Sequence, residues 1–207
     1  MITIVDYKAG NLTSVKRAFD HLGIPSQVSA DPNVVQEAER IVFPGVGHAG
    51  AAMQALKERG LDMALRTAYS RGIPILGICI GCQIILTYSE EGNTPCLDIM
   101  AGKCLRFQFK DRGCKIPHMG WNEIKITKPH PILEHIEPGD ELYFVHSYYP
   151  RPCDVNQVYA TCEYGQIFPV AIGTSNLFAV QFHAEKSGNI GLKLLNNFAK
   201  WKVGDHT

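Results

Sequence analysis

The residue types most able to do chemistry in this chain are a thiol, an imidazole and a carboxylate that lie far apart in sequence. Cys79 stands in Gly77-Ile78-Cys79-Ile80-Gly81, where one apolar run passes into another. The pattern predicts a buried strand turning sharply into a helix, the geometry of the G-x-S-x-G elbow, in which flanking glycines remove Cβ clashes around a displayed nucleophile. Amides at a helix N-terminus favour a thiolate, so sulfur at that bend gains nucleophilicity. A free cysteine is also a common buried packing residue, and that is the alternative reading of Cys79. Near the other end of the chain, Gln181-Phe182-His183-Ala184-Glu185 places a histidine and a carboxylate two residues apart at the end of a predicted strand, where their side chains can point the same way. A thiol, a base to take its proton and an acid to orient the base form the nucleophile–base–orienter arrangement.

Two further motifs compete with this reading. Gly45-Val46-Gly47-His48-Ala49-Gly50 satisfies G-x-G-x-x-G between a strand and a helix, as dinucleotide sites do. It follows the third strand rather than the first, Pro44 precedes it, and residues 65–70 offer no acid for a ribose, so a nicotinamide or flavin cofactor is not expected. Its glycines better suit backbone N–H groups that face a developing negative charge. Cys79 and Cys82 have the spacing of a redox pair or half a zinc site. No proline lies between them and no second C-x-x-C exists, so neither a redox couple nor a metal is expected and Cys82 reads as a packing residue.

The elements that must position these groups follow from periodicity. Residues 2–7 read as a strand and 12–22 as a helix stopped by Gly23-Ile24-Pro25. Strands over 27–29, 40–43 and 73–78 alternate with helices over 49–57 and 61–69, which predicts a mostly parallel sheet with active groups at the carboxyl ends of its strands. Past about residue 90 the chain turns to short extended segments, 102–109, 121–127, 142–149, 155–162, 170–174 and 178–182, which predict additional antiparallel or mixed strands. A helix over 187–201, with Ser187 as its cap, closes the chain. With no repeat, linker or low-complexity tract, residues 1–207 read as a single α/β domain.

Composition narrows the function. Lys plus Arg and Asp plus Glu both number 20, so the chain has no basic footprint for nucleic acid. No apolar run approaches the roughly 18 residues of a membrane span, and Met1 leads directly into strand-like sequence without a targeting segment. Seven cysteines, an odd number, fit a reducing cytoplasm better than a disulfide framework.

Taken together, Phe43-Pro44-Gly45-Val46-Gly47, Gly77-Ile78-Cys79-Ile80-Gly81-Cys82-Gln83 and Gln181-Phe182-His183-Ala184-Glu185 resemble the class I (triad) glutamine amidotransferases, which have a flavodoxin-like fold. Asp6-Tyr7 with Gly10-Asn11, Pro117-His118-Met119-Gly120-Trp121-Asn122 and Tyr143-Phe144-Val145-His146-Ser147-Tyr148 are similar to the glutaminase subunits of imidazole glycerol phosphate synthases. The resemblance implies that Cys79 attacks the side-chain amide of L-glutamine, that His183 protonates the departing ammonia and that Glu185 orients His183. It implies oxyanion stabilisation by the backbone N–H of Ile80 and by one from Val46 or Gly47, and glutamine binding by Gln83, Ser147 and Tyr148. It further implies a heterodimer with a (βα)₈-barrel cyclase subunit that receives the ammonia, Asn11, Trp121, Tyr143 and Lys186 lying near that interface and passage. Ala184 stands where the family usually has proline, Cys82 where the subgroup often has methionine, and His48 where other residues are common. Paralogues of the subgroup feed other acceptors, as in sugar amidination, and a scaffold subunit without turnover is the non-enzymatic alternative.

Overall fold

The computed structural model describes residues 1–8, 10–109 and 113–204. The first half alternates strands and helices: β1 (Ile2–Val5), α1 (Leu12–His21), β2 (Ser26–Ser29), α2 (Pro32–Gln36), β3 (Arg40–Gly45), α3 (Ala49–Glu58), α4 (Leu61–Ser70), β4 (Ile75–Cys79) and α5 (Ile80–Ile84). The second half is mainly extended: β5 (Tyr88–Ser89), β6 (Thr94–Pro95), β7 (Gly102–Arg106), β8 (His118–Glu123), β9 (Lys125–Ile126), β10 (Glu141–His146), β11 (Tyr148–Pro152), β12 (Val158–Glu163), β13 (Ile167–Gly173) and β14 (Leu177–Val180), closed by α6 (Gly188–Lys200). The main sheet runs β2-β1-β3-β4-β14-β13-β12-β9, parallel from β2 to β14 and antiparallel beyond. This is the expected mostly parallel sheet with an antiparallel flank.

Burial explains why the central strands read as continuous apolar runs. All residues of β1, β4 and β14 are buried, as strands covered on both faces require. Leu76, Ile78, Phe178 and Val180 face a core completed by Val15 and Phe19 of α1 and by Leu194, Leu195 and Phe198 of α6. Phe43, Ile75, Leu177 and Ala179 face the opposite core with Met53 and Leu56 of α3 and Leu61 and Leu65 of α4. Side chains of this kind contribute on the order of 2 kcal/mol each when fully buried, so the fold does not depend on disulfides. All seven cysteines are free thiols. Among the described residues no helix is long and apolar enough to cross a membrane.

Several boundaries differ from the sequence pattern for physical reasons. The apolar run through Leu86 is helical only to Ile84, because the segment at 97–100 turns back and its N–H groups take the carbonyls of Ile84, Ile85 and Leu86. The expected strand over 142–149 divides at Ser147: β10 pairs with β8, whereas β11 pairs with β7. The expected strand over 178–182 stops at Val180, so His183 and Glu185 are not on a strand at all. Ser187 makes no side-chain cap to α6. Its hydroxyl donates to the His183 carbonyl at 2.7 Å and accepts from Tyr143 N–H at 2.9 Å. Helix α2 escaped the periodicity because it is one turn long. Its signal was local: the Asp31 carboxylate accepts from Asn33 N–H at 2.8 Å and Pro32 opens the helix.

Candidate active site

Parallel pairing brings the distant motifs together. Ile78 of β4 lies opposite Val180 of β14, so the residues that follow each strand leave the sheet side by side at its carboxyl edge. On the other side of β4, Gly45 pairs with Cys79 and sets the Gly45-Val46-Gly47 turn beside the elbow. Cys79 itself has φ 54° and ψ −106°, a backbone conformation that costs a non-glycine residue about 1–3 kcal/mol. The flanking glycines make the bend feasible by close approach. A Cβ on Gly81 would lie 1.9 Å from the Phe43 carbonyl oxygen, and one on Gly77 would lie 3.0 Å from the Ala179 Cβ.

His183 and Glu185 meet through a single tight turn, residues 184–186, rather than through strand alternation. The His183 Nδ1 lies 2.8 Å from Glu185 Oε1, and both side chains are 1% exposed. An acceptor-only carboxylate requires the proton on Nδ1, which leaves Nε2 free for proton transfer. Nε2 is buried and has no hydrogen-bond partner among the described residues. Burial by itself drives His183 toward its neutral form, but the neighbouring Cys79 and Glu185 favour the charged ring and outweigh it, and its pKa is raised to about 10. The base therefore faces the thiol and is held by the acid.

Asn11 belongs to this cluster. It stands at the N-cap of α1 with φ 68°, and instead of capping the helix its amide donates to Glu185 Oε1, the same oxygen that accepts from His183. Gln181, fully buried between β14 and the turn, donates to Cys79 Sγ at 3.8 Å and accepts from Gln83 Nε2 at 3.1 Å. Gln83 donates its other hydrogen to the Tyr148 carbonyl at 3.0 Å, so its amide nitrogen is fully engaged inside the protein. Ile80 begins α5, where N–H groups lack intrahelical acceptors. Val46 and Gly47 occupy the adjacent turn, Gly47 with φ 100°.

Tyr7 lies beside this cluster, and nothing in its sequence context marks it as a neighbour of Cys79. Its ring packs against Phe43, and a Cβ on Gly45 would lie 1.9 Å from its hydroxyl, which has no partner among the described residues. Burial pushes this phenol far above its usual range, and Cys79 adds to the shift. Burial likewise pushes the Cys82 thiol well up, with Cys79 adding to it. Such a thiol is a poor partner for redox exchange.

The turn after β3 also accounts for the dinucleotide-like motif. His48 Nδ1 accepts from Gly50 N–H at 3.0 Å, and the Glu91 carboxylate accepts from Ala49 N–H at 2.7 Å. A negative charge already occupies the helix N-terminus where a bound phosphate would sit.

Of the residues expected at a partner interface, Asn11 bonds Glu185, and Lys186, Tyr143 and Trp121 follow one another in a row. Lys186 Nζ is 5.9 Å from the centre of the Tyr143 ring, and Tyr143 packs edge-on against Trp121 at 5.8 Å. Trp121 and Met119 remain 51% and 63% exposed. Ser147 joins β10 to β11, and its carbonyl accepts from Phe107 N–H at 3.1 Å.

Known proteins carry the same design. The family described as "Glutamine amidotransferase class-I" matches residues 3–201. The chain is 52% identical over 206 residues to "Imidazole glycerol phosphate synthase subunit HisH" of Nitratidesulfovibrio vulgaris strain DP4, covering 97% of this chain and 96% of the relative. It is 45% identical to the protein of that name from Thiobacillus denitrificans, covering 99% and 93%. Among solved structures, PurLQS from Thermotoga maritima shares the fold with a TM-score of 0.72 at 18% identity, over 96% of this chain and 97% of that one. A structure titled glutamine amidotransferase superimposes with a TM-score of 0.71 at 17% identity, over 97% and 98%. Matched from β1 to the end of α6, the chain belongs to the class I glutamine amidotransferases.

Proposed function

We propose that the chain is the glutaminase subunit of an imidazole glycerol phosphate synthase, a single glutaminase domain acting in the cytoplasm in histidine biosynthesis. His183 accepts the Cys79 proton at Nε2, and the sulfur attacks the side-chain carbonyl carbon of L-glutamine. The tetrahedral oxyanion rests on backbone N–H groups of Ile80 and of Val46 or Gly47. Collapse breaks the C–N bond, His183 returns its proton to the departing nitrogen, and ammonia leaves with a glutamyl thioester on Cys79. Water, deprotonated by His183, attacks the thioester; glutamate leaves and sulfur regains its proton. Glu185 holds the imidazole in the required tautomer throughout.

The observation that carries this reading is the buried His183–Glu185 contact at 2.8 Å, with His183 Nε2 lacking a partner among the described residues and Cys79 close by. The relatives' shared name supports the pathway. Gln83, Ser147 and Tyr148 frame the glutamine site, Gln83 acting through its neighbours because its NH₂ is engaged. The ammonia passes to a (βα)₈-barrel cyclase subunit, which makes imidazole glycerol phosphate and AICAR. That partner docks on the Asn11, Trp121, Tyr143 and Lys186 side, where exposed aromatic surface adjoins the triad. Glutamate release in the presence of the cyclase subunit and its nucleotide substrate tests the proposal. Cys79→Ala should abolish it; retained turnover would overturn the assignment of the nucleophile, and a product other than imidazole glycerol phosphate would overturn the pathway.

A further inference from the structure

Two buried histidines outside the triad form a hydrogen-bonded chain whose direction is fixed by its ends. His146 Nδ1 lies 2.8 Å from the Tyr148 carbonyl, an acceptor only, so Nδ1 carries the proton. In the neutral ring Nε2 is then an acceptor, and His118 Nδ1, at 3.0 Å, must donate to it. His118 Nε2 in turn accepts from Asn122 Nδ2 at 3.3 Å, whose other hydrogen goes to the Glu163 carbonyl at 3.1 Å. Every donor along this path finds an acceptor, provided both rings are neutral Nδ1–H tautomers. A further proton on His146 would set two N–H groups against each other, and one on His118 would oppose the Asn122 amide.

The surroundings enforce that state. Phe107, Phe144 and Phe168 pack around both imidazoles, and Tyr164 stacks on His118 at 4.1 Å. The Tyr164 hydroxyl faces away, donating to the Lys115 carbonyl at 3.0 Å. Among the described residues, the charged group outside the pair that bears on it is His183, which opposes protonation of His146. Burial lowers His118 to about 4 and, with the nearby imidazoles adding to it against the Tyr148 bond, His146 to about 3.

The chain's two ends have functional addresses. At one end the Tyr148 carbonyl also accepts from Gln83, which bonds Gln181, which donates to Cys79 Sγ. At the other end His118 and Asn122 point inward from β8, while Met119 and Trp121 of the same strand are exposed. We propose that His118 and His146 are positioning residues that link the outer face of β8 to the Tyr148 carbonyl and, through Gln83 and Gln181, to the Cys79 thiol, so that the glutamine site is set by the placement of that strand.

This inference rests on the glutaminase reading, and the test separates the two. Kinetics of glutamate release would be measured in the complex with the cyclase subunit for His118→Phe, which keeps ring packing but loses the donor. His118→Asn, whose amide nitrogen replaces Nδ1–H, is its counterpart. The Phe variant should raise the glutamine KM about fivefold or more, as loss of one buried hydrogen bond of about 1 kcal/mol implies, with kcat changed less. The Asn variant should recover to within about twofold of wild type. Equal kinetics in the two variants, whether both normal or both impaired, would overturn the relay while wild-type turnover upheld the glutaminase. Absence of turnover in the wild-type complex would instead overturn the glutaminase reading. Nitrogen NMR of histidine-labelled wild-type protein needs no variant and decides the matter even if the Phe variant fails to fold. Both rings should remain neutral Nδ1–H tautomers down to about pH 5.5, where a solvated histidine is mostly charged. An Nε2–H tautomer, or titration of either ring near pH 6.5, the ordinary histidine value, would refute the chain.

Discussion

Asn11 offers a way to weigh the triad's support separately from its chemistry. The Glu185 carboxylate is buried, and its Oε1 accepts from both His183 and Asn11 while Oε2 has no partner among the described residues. Removing the Asn11 amide therefore takes away one of two bonds that hold a buried anion. A hydrogen bond to a charged group contributes about 1.5–3 kcal/mol, and each 1.36 kcal/mol that is felt in the transition state is about tenfold in rate. Loss of the amide should lower kcat by roughly 10- to 100-fold, with little change in glutamine KM because Asn11 touches the carboxylate and not the proposed substrate pocket. The choice of substitution matters because Asn11 has φ 68° and ψ 7°, which glycine adopts freely and alanine does not. Asn11→Gly removes the amide without left-handed strain, whereas Asn11→Ala adds about 1 kcal/mol of it. Steady-state glutaminase kinetics in the complex and urea denaturation of both variants separate the contributions. The two should share a kcat, with the alanine variant the less stable. A glycine variant with wild-type kcat would refute the view that Asn11 holds the triad acid.

Three other perturbations test particular contacts. His118 and His146 are held neutral, with pKa values lowered to about 4 and about 3, against about 6.5 in the unfolded chain. The unfolded chain thus binds more protons below pH 6.5: the stability is fully present above that value and is lost as pH falls toward 4 and 3. At about pH 5.5 each ring costs about 1 kcal/mol, measurable by urea denaturation as a slope that His118→Asn reduces. A pH dependence between about pH 7.5 and 5.5 that is the same in wild type and His118→Asn would contradict the neutral pair. Tyr7→Phe removes a buried hydroxyl without a partner among the described residues, so it should stabilise the protein by about 1 kcal/mol, or about 2–4 °C in Tm by calorimetry. A loss of stability would show that the hydroxyl is bonded. Gly81→Ala drives a Cβ to 1.9 Å from the Phe43 carbonyl oxygen, and should cost more than about 3 kcal/mol in denaturation, where Gly47→Ala meets only open space and the strain of its φ. Equal stabilities of those two variants would show that the elbow is not closely packed.

Much of this arrangement was legible because it rests on short-range rules. Gly77 and Gly81 announced a tight bend, and the apolar runs of β4 and β14 announced strands covered on both faces, whose parallel pairing delivers Cys79 and His183 to one edge. Other features arise from partners no local pattern names. The spacing of His183 and Glu185 suggests a meeting by strand alternation, yet the sheet ends at Val180 and one turn over 184–186 joins them instead. Ser187 has the residue type of a helix cap, but Tyr143 and His183 compete successfully for its hydroxyl. Asn11 likewise looks like a cap, and its amide goes to a carboxylate 174 residues away. His118 and His146 are 28 residues apart, and only the pairing of β8 with β10, which sets these two residues opposite each other, reveals that they touch.

That pairing also bears on how a surface event reaches the nucleophile. The pair of β8 and β10 forms a separate two-stranded sheet, joined to the main sheet at Asn122, whose amide donates to the Glu163 carbonyl of β12. Its attachments to the site are direct. The Tyr143 carbonyl accepts from His183 N–H at 2.9 Å, Ser187 ties Tyr143 N–H to the His183 carbonyl, and His146 bonds the Tyr148 carbonyl. One path ends on the base and the other, through Gln83 and Gln181, on the thiol. Cys79 thus ends a strand of the main sheet and His183 follows another, and each is tied to the β8–β10 pair by separate contacts. A displacement of the β8–β10 pair would therefore be felt at both side chains.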